Sequence, residues 1–148
     1  MSDYEKCLAS AQKSLALREH SEYQIKNKLL SKGFNEETID NVINRLKESG
    51  FQCDERYVKE YIKYRQSLGY GLKKIIFELR SNGINSKLIN DNLSIFENDY
   101  NILYELAKIK INNQDLENQK NKYRYINFFL GRGFEMYIIL KVIKNYEK

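Results

Sequence analysis

The chain of 148 residues has no proline, one histidine, two cysteines and no long apolar run. Each shortage removes a class of function. Metal sites need clustered Cys, His or carboxylate ligands, and His20 with the distant Cys7 and Cys53 does not supply them. A lone histidine just ahead of a helix cap reads as structural or exposed. The cysteines form no CxxC pair and read as reduced thiols of a cytoplasmic protein; a disulfide between them stays open, though a chain this size does not require one. No segment approaches the roughly 18 apolar residues of a membrane span. The first residues, MSDYEKCLASAQKS, mix acids and bases without a continuous apolar stretch, unlike a secretory signal. GYGLKK (69–74) is glycine-rich but lacks the GxxxxGK[ST] spacing of a phosphate-binding P-loop. Carboxylate pairs such as Glu36 with Asp40 sit on a helix's polar face, where solvation is the ordinary fate. No catalytic residue, metal or cofactor is expected.

What is present is ordinary globular material, 42% hydrophobic and 30% charged, which argues against wholesale disorder. The net charge of +5 is unevenly placed: residues 1–50 are neutral, 51–98 carry +2 and 99–148 carry +3. A basic second and third part favours a polyanion nearby.

With no proline to interrupt them, the apolar positions recur at helical spacing. LLSKGFNEETIDNVI (29–43) reads as a helix end, a tight turn and a helix start. Gly33 is answered by Gly83 and again by Gly133, and residues 25–48, 75–98 and 125–148 align without a gap. Glycine adopts the positive φ that closes a helix without steric penalty. The pairs Leu29 with Phe34, Leu79 with Ile84 and Phe129 with Phe134 are then the apolar contacts of three Schellman endings. Asn35 and Asn85 stand at the next N-cap, which Glu135 fills less well. Ser21 with Gln24 forms a capping box.

A further helix precedes each hairpin, over about 4–18, from Asp54 to near Gly69, and over about 99–112. In the second, Tyr57, Tyr61, Tyr64 and Leu68 form the expected inward stripe. In the third, it is Ile102, Leu103, Leu106, Ala107 and Ile109. NNQDLENQKN (112–121) reads as a flexible linker or frayed helix. The expected fold is all-α, a tandem array of three three-helix repeats (1–50, 51–98 and 99–148). A unit this small buries little alone, so neighbours must stack into an elongated, curved, crescent-like array.

The candidate binding residues are basic. Lys73 and Lys74 fall in the first turn of a helix, where the macrodipole is already positive, so an anion would relieve them. Lys59, Lys63 and Arg65 lie beside tyrosines in RYVKEYIKYR (56–65). Lys122, Arg124 and Arg132 do so in KNKYRYINFFLGR (120–132). Aromatics among bases suit single-stranded nucleic acid, although tyrosines at helical spacing also serve as core. A helix-turn-helix reading favours only the last repeat. The helix after its turn shows Lys141, Lys144 and Lys148, whereas the first repeat's shows Glu36, Glu37 and Asp40, which repel phosphate.

DERYVKEYIKYRQSLGYGLKKIIFELRSNGI (54–84), REHSEYQIKNKLLSKGF (18–34) and FFLGRGF (128–134) together resemble the RecX family, bacterial regulators of the RecA recombinase. The resemblance covers about Leu15 to Tyr146. Leu72 departs from the proline common after the second glycine, and Val58 from a small residue. The chain is expected to be a monomer, and the resemblance implies a helical crescent lodged in the groove of the RecA filament on single-stranded DNA. There it would restrain filament growth, recombination and co-protease activity, with no catalytic residues. The alternative is a stand-alone DNA-binding module.

Overall fold

The computed structural model describes residues 1–147. Among these the chain forms nine α-helices and no strand. They are α1 (Asp3–Leu17), α2 (Glu22–Ser31), α3 (Glu36–Glu48), α4 (Asp54–Ser67), α5 (Leu72–Ser81), α6 (Ser86–Asp91), α7 (Asp99–Lys110), α8 (Gln119–Gly131) and α9 (Met136–Tyr146). The all-α helical repeat fold expected from the glycine spacing is the one observed.

The three corners close as local chemistry dictates. Gly33, Gly83 and Gly133 have φ of 92°, 84° and 94°. The amide after each glycine donates to the carbonyl five residues back: Phe34 to Leu29, Ile84 to Leu79, Phe134 to Phe129. That bond, with the one from the glycine amide itself, defines the Schellman ending. The Asn35 side chain then accepts from Thr38 N–H and the Asn85 side chain from Leu88 N–H, both at 2.8 Å. Glu135 makes no such bond. The capping box of Ser21 with Gln24 is complete.

The described residues fall into two compact units, with boundaries inside α4, inside α5 and after α6. The first comprises Met1–Glu60 with Leu79–Asp91. Its core packs Cys7 and Ala11 of α1 with Ile25 and Leu29 of α2 and Ile39, Val42, Ile43 and Leu46 of α3. A fully buried aliphatic side chain of this kind contributes about 1.5–3 kcal/mol. Here Asp54, the first residue of α4, accepts the Glu22 amide at 2.8 Å and so caps α2 from a distance. The Ser21 hydroxyl donates to the Asn82 carbonyl at 2.8 Å, joining the start of α2 to the Gly83 corner. His20 is buried, its Nδ1 lying 3.0 Å from the Arg18 carbonyl, and burial pulls the imidazole pKa down. Cys7 and Cys53 are free thiols, and burial pushes the Cys7 thiol up.

The second unit comprises Tyr61–Glu78 with the residues from Asn92 onward. Its core packs Ile102, Leu103, Leu106 and Ala107 of α7 against Ile126 and Phe129 of α8, Phe134 of the corner and Ile139, Val142 and Ile143 of α9. The same joint recurs. Asp99, the first residue of α7, accepts the Leu72 amide at 2.9 Å, and the Gly71 amide donates to the Arg132 carbonyl at 2.8 Å. A Cβ added at Gly71 would stand 2.6 Å from the Gly133 carbonyl oxygen, so only glycine admits this approach. Gln66, buried in α4, bonds both ways to the backbone of Glu97 and anchors the strand of chain leading to α7.

Several expectations are corrected. In α4 the buried residues are Tyr57, Val58, Ile62 and Gln66, whereas Tyr64 is 61% exposed and Leu68 is also exposed. The stripe follows the 58–62–66 line, four residues per step, rather than the tyrosines. Ile109 is 80% exposed because it falls off the face carrying Leu103, Leu106 and Ala107. The third helix of the middle repeat stops at Asp91 and gives way to a 3-10 turn, Leu93–Ile95, leaving Leu93 exposed and Phe96 half-buried. The run of Asn90, Asp91, Asn92 and Ser94 explains this, since such side chains compete with helical backbone bonds. The stretch 112–121 is no loose linker. It forms a 3-10 turn, Asn113–Glu117, that buries Leu116 in the core and presents Asp115 to the Tyr125 hydroxyl at 2.9 Å.

Candidate functional site

The candidate bases divide by what holds them. Lys59 pairs with Glu55 along α4 at 3.2 Å, and Lys122 with Glu147 at 2.6 Å. Lys63, Lys73, Arg124 and Lys144 are exposed, and the exposed Lys141 places its ammonium 5.2 Å from the Tyr100 ring centre. Lys148 lies outside the described residues. Arg65, Lys74 and Arg132 are brought together in one cleft of the second unit.

The start of α5 is not the empty anion site that Lys73 and Lys74 suggested. The Asp99 carboxylate already accepts the Leu72 amide there. Burial raises the pKa of Asp99, the bond from Leu72 lowers it, and nearby Glu135 raises it further; the net direction is upward. Lys74 instead turns toward the third corner. A Cβ on Gly133 would lie 2.4 Å from the Lys74 Cβ.

The cleft, about 480 Å³ and open to solvent, is built by a fourth corner. Gly69 ends α4 at φ 86°, and the Tyr70 amide donates to the Arg65 carbonyl. The geometry repeats that of the other corners, but the touching pair is Arg65 and Tyr70 rather than two apolar side chains. The Arg65 guanidinium carbon sits 3.7 Å from the Tyr70 ring centre. It is held there by Glu78, which accepts from Arg65 Nε at 3.0 Å and Nη2 at 2.8 Å, and from the Tyr61 hydroxyl at 3.1 Å. Arg132, the C-cap of α8, lies 4.3 Å from the same Tyr70 ring and 5.0 Å from Phe128. Its Nη1 donates to the Leu68 carbonyl at 2.7 Å. Lys110, at the end of α7, stands 5.5 Å from the far ring, Phe128.

The electrostatic balance is positive. Glu78 is the one acid among the described lining residues, and Arg65 neutralises it. Among the described residues no carboxylate reaches ion-pair distance of Lys74 or Arg132. Stacked and hydrogen-bonded, the Arg132 guanidinium is fixed before any ligand arrives, so little rotamer freedom remains to be lost on binding. Sequence reasoning missed Tyr70, Phe128 and Gly131. The local clue was available: at 65 and 70, the two positions that touch across a Schellman ending, stand an arginine and a tyrosine.

Comparisons with known proteins agree with this architecture. Residues 7–46 match the family model described as RecX, first three-helix domain. A regulatory protein RecX of Haemophilus ducreyi is 37% identical over 120 residues, covering 81% of this chain and 79% of the relative. One from Legionella pneumophila is 35% identical over 141 residues, covering 94% and 93%. The crystal structure of RecX from Lactobacillus salivarius superimposes with a TM-score of 0.76 at 22% identity, covering 98% of this chain and 97% of that one, which speaks to the fold. With relatives 37% and 35% identical over aligned stretches that cover most of its length, the chain belongs to the RecX family of regulatory proteins.

Proposed function

We propose that this protein binds the RecA filament assembled on single-stranded DNA and restrains its growth, its ATPase and its recombinase and co-protease activities. Family membership carries the reading, because relatives named regulatory protein RecX match 81% to 94% of the chain. The exposed cations of the second unit support it, since a partner that itself carries DNA presents a polyanion. Contact with several filament protomers would give a modest binder multivalent hold. Regulation of this kind asks for no catalytic residue and no cofactor. The protein acts as a monomer in the cytoplasm, and among the described residues no helix is long and apolar enough to cross a membrane.

The test is the single-stranded-DNA-dependent ATPase of RecA, titrated with this protein at two salt concentrations. Inhibition that deepens with added protein is expected at both. An ATPase unchanged up to a large molar excess would refute the reading. The exposed Lys141 and Lys144 on α9 favour a second reading, a stand-alone DNA-binding module. That reading requires tight, steeply salt-dependent DNA binding with no recombinase present. Weak DNA binding beside strong ATPase inhibition would exclude it as the main role.

A further inference from the structure

Gly131 is a glycine the fold does not ask for. It lies in the last turn of α8, outside the positive-φ region, and a Cβ built on it meets no atom within 4 Å. Within a helix glycine is unfavourable relative to alanine, and here no packing compensates for it. It lines the cleft beside Arg132, Lys74, Asn127 and Phe128. A bare backbone facing an open, cation-lined cleft is the arrangement that lets something outside the chain approach closely.

We propose that this cleft is a phosphodiester site for a single-stranded polynucleotide, with Arg132 and Lys74 gripping the phosphate and the strand passing over Gly131. The inference rests on the preceding proposal that single-stranded DNA is a partner. Arg132 supplies the fixed donor fork, since its stacking on Tyr70 and Phe128 and its bond to Leu68 leave the remaining N–H groups pointed by the protein. Lys74 adds an ammonium without a carboxylate partner. Arg65, spent on Glu78, holds Tyr70 in place rather than binding. Phe128, 38% exposed on the α8 face, offers a ring against which a base can stack. An acidic peptide would satisfy the two cations but would leave Phe128 and the open glycine without purpose.

The test measures binding of fluorescein-labelled oligo-dT by anisotropy, with no RecA present, at several salt concentrations. Arg132→Gln and Lys74→Gln should each weaken binding about tenfold and each shallow the log–log salt slope by about 0.7, the value for one single-strand phosphate contact. Lys87→Gln removes the same charge from an exposed lysine in the first unit and should leave binding unchanged. Gly131→Ala is the discriminating variant: several-fold weaker binding with a melting temperature equal to or above wild type. Wild-type affinity in Gly131→Ala and Lys74→Gln would overturn the proposal, as would a lowered melting temperature in Gly131→Ala. Polyglutamate competing as well as oligo-dT at equal charge would reassign the cleft to an acidic protein partner. A duplex of equal length binding more tightly would refute the single-strand assignment. RecA ATPase inhibition by the same variants is scored separately. Loss of oligo-dT binding with inhibition retained, or the reverse, tells failure of this site from failure of the regulatory reading.

Discussion

The Asp99 carboxylate accepts the Leu72 amide hydrogen at 2.9 Å, so the first residue of α7 caps the N-terminus of α5. The bond comes with a cost, because burial raises the pKa of this acid above its ordinary value. A raised folded pKa means that ionisation is disfavoured in the native state. Its contribution to stability is fully present below the unfolded carboxylate pKa and is lost as pH rises through the folded one. Asp99→Asn keeps an acceptor and removes the ionisation. At pH 7 its melting temperature should equal or exceed that of wild type, and the gap should close toward pH 4. Asp99→Ala keeps no acceptor and should be less stable than Asp99→Asn by about 1 kcal/mol, the typical value of a cap. Thermal melts across this pH range decide it.

The corners can be graded. Gly33 and Gly83 both have positive φ, but a Cβ at Gly33 meets nothing within 4 Å, whereas one at Gly83 would stand 2.4 Å from the Tyr23 Cβ. Gly33→Ala should therefore cost only the left-handed backbone term, about 1–2 kcal/mol. Gly83→Ala should cost that and more, because α2 must shift away from the corner. Urea unfolding of the two variants gives the comparison directly. Equal losses would mean that the Tyr23 contact yields freely.

His20 sets an acid limit. Burial lowers its imidazole pKa below the ordinary 6.5, outweighing the bond to the Arg18 carbonyl, which acts the other way. A depressed folded pKa for a base means stability that is present above the unfolded pKa and lost as pH falls through the folded one. Wild-type melting temperature should drop on acidification below about pH 6.5, the ordinary imidazole value. In His20→Gln that component of the drop should disappear. An identical pH profile in both proteins would show that the ring charges without penalty.

On the functional side, Lys73→Glu with Lys74→Glu should weaken inhibition of the RecA ATPase while circular dichroism shows helicity intact. Lys73 is exposed, and Lys74 reaches the cleft. Unchanged inhibition would remove the pair from the contact surface.

Much of this fold is legible in the sequence because its punctuation is local. A glycine at positive φ, an apolar pair five residues apart and an asparagine at the next N-cap can be recognised within a seven-residue window. The first two corners follow from all three signals, and the third, where Glu135 stands in place of asparagine, from the glycine and the apolar pair. Phase was harder. Tyr57, Tyr61, Tyr64 and Leu68 satisfy helical spacing as well as the line that is buried, and the decision lies with Gln66. Its burial is tolerable only because both its amide groups bond to residue 97. The cleft was half visible: Arg65, Lys74 and Arg132 were singled out as bases, but their meeting depends on Gly71 touching the Gly133 corner, a contact made across sixty positions of sequence. Asp99 at the head of α5 is the same case, a cap supplied from another helix that no local motif announces.

The recurring joint makes these repeats poor building blocks. Asp54 completes α2 and Asp99 completes α5, so the first two hairpins each borrow their terminal anion from the segment that follows. A chain cut between residues 91 and 98 would expose the Leu72 amide and the Gly71 face together. Shortened versions should therefore fray inward from the cut instead of behaving as smaller intact proteins, and lengthening or pruning such a chain requires moving whole hairpins together with the aspartate beyond them.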